Sequence, residues 1–199
     1  MLKGILILAL GIFITTYLAA QEAGKDCRGF FRWEVKTLTD SGGVSLLSAR
    51  SADSTITHLV SVHPPKRFFI LSKKDGSLPR FKEENQVVRV VAIIGKVKTE
   101  RDRDIHIILR SIDSEDTMIG EIPDPDCRIF DSLPALKIAY TKARKELQQV
   151  RDLIGKTKDP VLVEITGIPL WDARHWWLRG CARNGRELHP ILSLKILPR

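Results

Sequence analysis

The sequence predicts a mostly β chain with one main helix, in the order βββαββ, and three observations predict it. Runs of β-branched residues alternate with turn signals from Gln86 onward. The stretch Ser132 to Ile154 switches to steps of three and four residues, and two further β-rich runs follow it.

Gln86 to Thr99 reads as a long first strand. Val87, Val88, Val90, Val91, Ile93 and Ile94 supply β-branched side chains, and Gly95 marks a bend or bulge. The charged turn Glu100 to Asp104 leads into a second strand, Ile105 to Ile112. After the polar tip Asp113 to Asp116 a third strand, Thr117 to Ile122, stops at Pro123-Asp124-Pro125. In the helix, Leu133, Leu136, Ala139, Tyr140, Ala143, Leu147, Val150 and Ile154 share one face. Ser132 is placed to cap it, Pro134 lies in its first turn and Gly155 just past its end. The remaining strands are Pro160 to Pro169 and Leu188 to Leu197. This order is that of a five-stranded OB-type barrel, residues 86–199, with its helix between the third and fourth strands. The short link between the first two strands cannot hold the helix a ferredoxin-like fold would need there.

Ahead of the barrel, Lys3 precedes an apolar run from Gly4 to Leu18 closed by Ala19 and Ala20, the pattern of a secretory signal peptide over residues 1–20. The run is short for a bilayer core of roughly 30 Å, and the chain turns polar at Gln21, so cleavage fits better than anchoring. The chain is therefore expected to be secreted or periplasmic, with no membrane span left after cleavage. Residues 21–85 carry mixed signals: an alternating Phe31-x-Trp33-x-Val35, a Ser41-Gly42-Gly43 turn and a short helix from Ser54 to Val62. Too few periodic elements occur there for a separate core, so this stretch is read as an N-terminal arm packing on the barrel.

Hydrophobic residues make up 43% of the chain, ordinary for a packed domain. Loss of residues 1–20 removes one of 32 basic residues and none of 24 acids, so the net charge becomes 31 minus 24, or +7. Such a surface favours anionic partners. Of the three cysteines, Cys127 could pair with Cys181 or equally with Cys27.

Four segments also resemble, in order, those of a family of secreted bacterial proteins of unknown function with an OB-like barrel. They are Arg32-Trp33-Glu34-Val35-Lys36-Thr37-Leu38, Arg103-Asp104-Ile105-His106-Ile107-Ile108-Leu109, the stretch Thr117 to Cys127 reading TMIGEIPDPDC, and Asn184 to Leu192 reading NGRELHPIL. The resemblance implies a shared fold and export but no activity. After the fourth strand the family continues with paired aromatics, an Asp, then His-Gly-Gln. Here Asp172 and His175 keep those places and Trp176 and Trp177 replace the Gly and Gln.

Two groups of residues could carry chemistry. The loop between the last strands combines Trp171, Trp176 and Trp177 with Arg174, His175, Arg179, Arg183 and Arg186. Aromatic faces stack on bases or sugars and guanidinium groups hold phosphate or carboxylate. The leading expectation is thus an exported binding module for an anionic polymer (cell-wall glycan, lipopolysaccharide or nucleic acid) or an envelope protein. The second group is His106, Glu121 and His189, with Asp102, Asp104, Asp124 and Asp126 nearby. These are metal-ligand or acid-base types and would make a metal-assisted hydrolase if they converge. A scaffold or protein-interaction role is the third possibility. No nucleophile elbow, phosphate-binding glycine loop, Cys-x-x-Cys or His-Glu-x-x-His motif occurs, and no cofactor or metal is called for by any motif.

Overall fold

The computed structural model describes residues 27, 31–66, 68, 78–157, 159–172 and 180–198. The signal-peptide stretch therefore lies outside the described residues. Among those described, no helix is long and apolar enough to cross a membrane.

The chain is mostly β, with a closed five-stranded barrel and one main helix. Ahead of the barrel come α1 (Trp33–Lys36), β1 (Ser51–Asp53) and α2 (Ile56–Ser61). The barrel strands are β2 (Val87–Thr99), β3 (Ile105–Arg110), β4 (Thr117–Ile122), β5 (Leu162–Trp171) and β6 (Arg186–Ile196), with α3 (Pro134–Thr157) between β4 and β5. β2, β3 and β4 form an antiparallel meander. β4 then runs parallel to β6, β6 antiparallel to β5, and β5 returns antiparallel to β2, which closes the ring.

β2 serves both ends of the closure because it is long and bent. Its first part pairs with β5 and its second with β3, and the register to β3 slips between Ile94 and Val97. Gly95 lies within that slip, and a Cβ there would stand 3.0 Å from the Ile108 carbonyl oxygen. In β3 and β4 alternate side chains, Ile107, Leu109, Met118 and Ile122, enter the core. Gly120 falls in the same row, where Ile191 and Leu109 fill the space its side chain would take.

α3 buries Leu136, Tyr140, Ala143, Leu147 and Val150, the face its periodicity specifies. Ser132 does not cap it. Its hydroxyl donates to Ile129 O within a 3-10 turn, Arg128–Ser132, that precedes Pro134. Gly155 does not end it either, since the helix continues to Thr157. The alternation at Phe31, Trp33 and Val35 is not a strand: Trp33–Lys36 is one helical turn, with Val35 buried.

The segment before the barrel is tied down by specific contacts. β1 pairs in parallel with the start of β2, and Thr55 caps α2 through His58 N. Thr57 donates to Asp113 at 2.8 Å, and Tyr140 donates to Thr37 O at 2.8 Å. Cys27 is joined to Cys127 across 100 residues, which settles the pairing, and Cys181 is free. Closing a loop of that length stabilises by up to about 5 kcal/mol in the chain-entropy account.

Candidate functional site

The register of three neighbouring strands assembles a polar row on the side of the sheet opposite the core residues of β3 and β4. His106 of β3 is the direct cross-strand partner of Glu121 in β4. β4 and β6 pair in parallel at Ile119 with Glu187 and Gly120 with Leu188, so continuing by one residue sets Glu121 beside His189. The convergence that the sequence left as a condition is thereby met.

His189 is the centre of this group. Its Nδ1 lies 3.0 Å from Glu121 Oε2 and its Nε2 lies 3.4 Å from Asp104 Oδ2. One ligand atom from each of Asp104, Glu121 and His189 falls within 4.8 Å of the others, and all three residues are buried. The second Glu121 oxygen is 3.2 Å from His106 Nδ1, which also stands 3.3 Å from Glu100. His106 thus steadies the carboxylate that His189 faces.

The distances around His189 are those of hydrogen bonds but the directions are not. Neither ring nitrogen has an aligned hydrogen-bond partner although the residue is 1% exposed. A buried imidazole set between two carboxylates in this way is a candidate for an ion-binding or catalytic role. Left to protein groups alone, burial disfavours the imidazolium, but Glu121 and Asp104 outweigh it and raise the His189 pKa to about 9. Burial likewise works against ionised Glu121, and His189 and His106 more than offset it, holding that carboxyl well below its ordinary value.

The surrounding charges are largely matched. Lys36 of α1 reaches Asp172 at 2.6 Å, and its ammonium, disfavoured by burial, is held charged by Asp172, Glu187 and Glu121. Asp124 is clasped by Arg103 at 2.6 Å and by Arg144 at 3.5 Å, and it accepts from Asp126 N, so the Asp124-Pro-Asp126 stretch is structural. Asp126 itself is exposed. Asp102 accepts from Asp104 N, and burial followed by the nearby Asp104 charge raises its pKa. Glu187 is fully buried with Oε2 unpartnered. Desolvation, then Asp172 and Glu121, push its pKa well above the usual carboxylate range. Asp104 and Glu121 thus face one imidazole, a set of ligand types that a divalent cation could take in place of the proton.

The aromatic loop fares differently. β5 runs through Pro169 to Trp171 and β6 begins at Arg186, so each strand extends two residues further into the loop than expected. Trp171 and Arg186 are cross-strand partners, and the Arg186 guanidinium stacks over the Trp171 ring at 4.4 Å. Both are buried, at 0% and 1% exposure, and neither presents a surface to a polymer. Arg183 is open to solvent and pairs with Asp116 at 2.8 Å. Arg174, His175, Trp176, Trp177 and Arg179 lie outside the described residues.

Asp104, one of the aspartates the sequence set near this group, is the second carboxylate on His189, whereas Lys36 and Glu187 went unrecognised. Position 187 alternates with His189 along one strand, a spacing that places both on one face and could have flagged it. Lys36 carries no such signal. No protein-family model matches the chain, and no curated protein is significantly similar to it.

Proposed function

We propose that the chain is an exported, OB-like barrel with an N-terminal arm, which holds a divalent cation on its ligand face and works as a metal-assisted hydrolase. The observation that carries this reading is the convergence of Asp104, Glu121 and His189, one ligand atom of each lying within 4.8 Å of the others. The barrel order β2-β3-β4-β6-β5 supports an OB-like reading, and in OB-folds the second and third strands form the ligand face. Those strands are β3 and β4 here, and they carry His106 and Glu121.

The charge on that face separates cation from polymer. Asp104 and Glu121 both face His189, with Glu100 and Asp102 nearby, a carboxylate-rich setting that favours a metal over phosphate. Two carboxylates and one imidazole suit zinc or manganese, and three protein ligands leave coordination positions open, as in catalytic sites. A metal there would polarise a substrate oxygen and lower the pKa of a bound water.

Two further facts support parts of this reading. The Cys27–Cys127 disulfide suits an oxidising compartment, in line with export. The four segments that resemble the secreted family contribute Lys36, Asp104, His106, Glu121, Asp124, Glu187 and His189 to one region.

Calorimetric titration of the chelator-treated protein with zinc chloride is expected to show one equivalent bound. Asp104→Asn and Glu121→Gln should each abolish saturable binding. No saturable binding by the unaltered protein would overturn the metal centre. Zinc-dependent turnover of p-nitrophenyl acetate or bis(p-nitrophenyl) phosphate tests the hydrolase, and binding without turnover of either removes that part alone.

Recognition of an anionic polymer or envelope protein is a second reading, favoured among the described residues by Arg183, whose side chain is 87% exposed. It requires salt-sensitive binding to glycan, lipopolysaccharide or nucleic acid that Arg183→Ala weakens.

A further inference from the structure

A groove of about 400 Å³ lies away from the centre just described, between β1 and α2 on one side and the 3-10 turn Lys82–Glu84 on the other. Its lining includes Ser54, His58, Lys82, Glu83, Gln86 and Arg186. The polar atoms at its floor are incompletely used.

The Arg186 guanidinium offers five N–H donors, yet among the described residues its one hydrogen bond runs from Nη2 to the Glu83 carbonyl at 3.3 Å. Its Nε is buried with no partner. The Trp171 ring covers one face of the guanidinium, and among the described residues no carboxylate forms an ion pair with it. The nearest candidate counterion is already committed: both oxygens of Glu84 accept from Arg32, and they also accept from Trp171 N at 2.9 Å and Phe81 N at 2.7 Å. Asp53, also on the groove, is paired with Arg89. Ser54, whose Oγ is buried without a partner, also lines the groove.

A guanidinium with so few bonds and no counterion is costly to bury. Desolvation pulls the Arg186 pKa down to about 10 despite Glu84 and Glu83 nearby. An oxyanion in the groove would supply both the charge and the acceptors that Arg186 and Ser54 lack.

We propose that this groove binds a small oxyanionic group, a phosphate or carboxylate, with Arg186 as its charge and Ser54 as its second donor. Lys82 at the rim adds a cation to the entrance. Arg186, which the sequence placed in a polymer-binding loop, acts here from beneath a groove on the other side of Trp171.

The test is amide-resolved NMR of the full chain, titrated with sodium phosphate and separately with sodium acetate against sodium chloride at matched ionic strength. The expected result is saturable movement of the Ser54 and Arg186 signals with at least one of the first two and none with chloride. Whichever anion saturates identifies the source. Ser54→Ala, at a partly exposed position that leaves the Trp171 stack intact, should weaken binding about five-fold. Arg186→Gln should remove it. Equal responses to all three salts, or unchanged affinity in Ser54→Ala, would overturn the proposal whether or not Arg186→Gln folds. Zinc binding at His189 is measured separately and neither outcome depends on it.

Discussion

Two buried ionic clusters lie within this small protein, and they are built to opposite standards. At the first, all five donor positions of Arg32 are used: two bonds to Glu84 and one each to Leu78 O, Pro79 O and Trp171 O. Glu84 in turn accepts from four donors. At the second, His189 sits between two carboxylates with neither nitrogen aligned, and Glu187 lacks a partner for one oxygen. A complete network fastens the fold, joining the segment before the barrel to the end of β5. An incomplete one leaves donor and acceptor positions that a ligand could fill.

Breaking the complete cluster should have the largest effect. Glu84→Gln leaves the Arg32 guanidinium buried without its counter-charge, and urea denaturation should show a loss of about 3–5 kcal/mol. A loss below about 1 kcal/mol would erase the distinction between the clusters.

The second cluster should reveal itself through pH. His189 in the metal-free protein has a pKa of about 9 against an ordinary 6.5, so its protonation stabilises the fold fully below about pH 6.5. That contribution, on the order of 3 kcal/mol, is lost as pH rises through 9. Urea melts from pH 6 to 10 in chelator should show the decline, and zinc should flatten it by taking the proton's place.

A smaller effect sharpens the role of His106. His106→Ala should weaken zinc binding about 10- to 100-fold by releasing Glu121, a change in affinity that calorimetry resolves. The mildest prediction concerns Cys181. Burial, then Glu187, Asp172 and Glu121, push its thiol pKa up to about 11, so iodoacetamide at pH 8 should label it far more slowly than an unhindered thiol.

Much of the barrel was legible because its strands and helix carry strong periodicity. Thr117–Ile122 matches its expected limits, and the helix face from Leu136 to Val150 is the one that packs. The residues His106, Glu121 and His189 were legible as types, but their meeting depends on a parallel pairing of β4 with β6, which no local spacing encodes. The error at Trp171 and Arg186 has a similar cause. Pro169 read as a strand end, whereas β5 continues past it and turns two apparent loop residues into a buried cross-strand stack. Lys36 and Arg32 lie in a segment with almost no periodicity, and their partners are 136 and 52 residues away.

The most direct test of the central claim is a crystal structure of the zinc-soaked protein with data collected at the zinc absorption edge. An anomalous peak about 2.0–2.2 Å from Asp104, Glu121 and His189 together is the result this account predicts. An ordered His189 hydrogen-bonded to both carboxylates, with no peak between them, would contradict it.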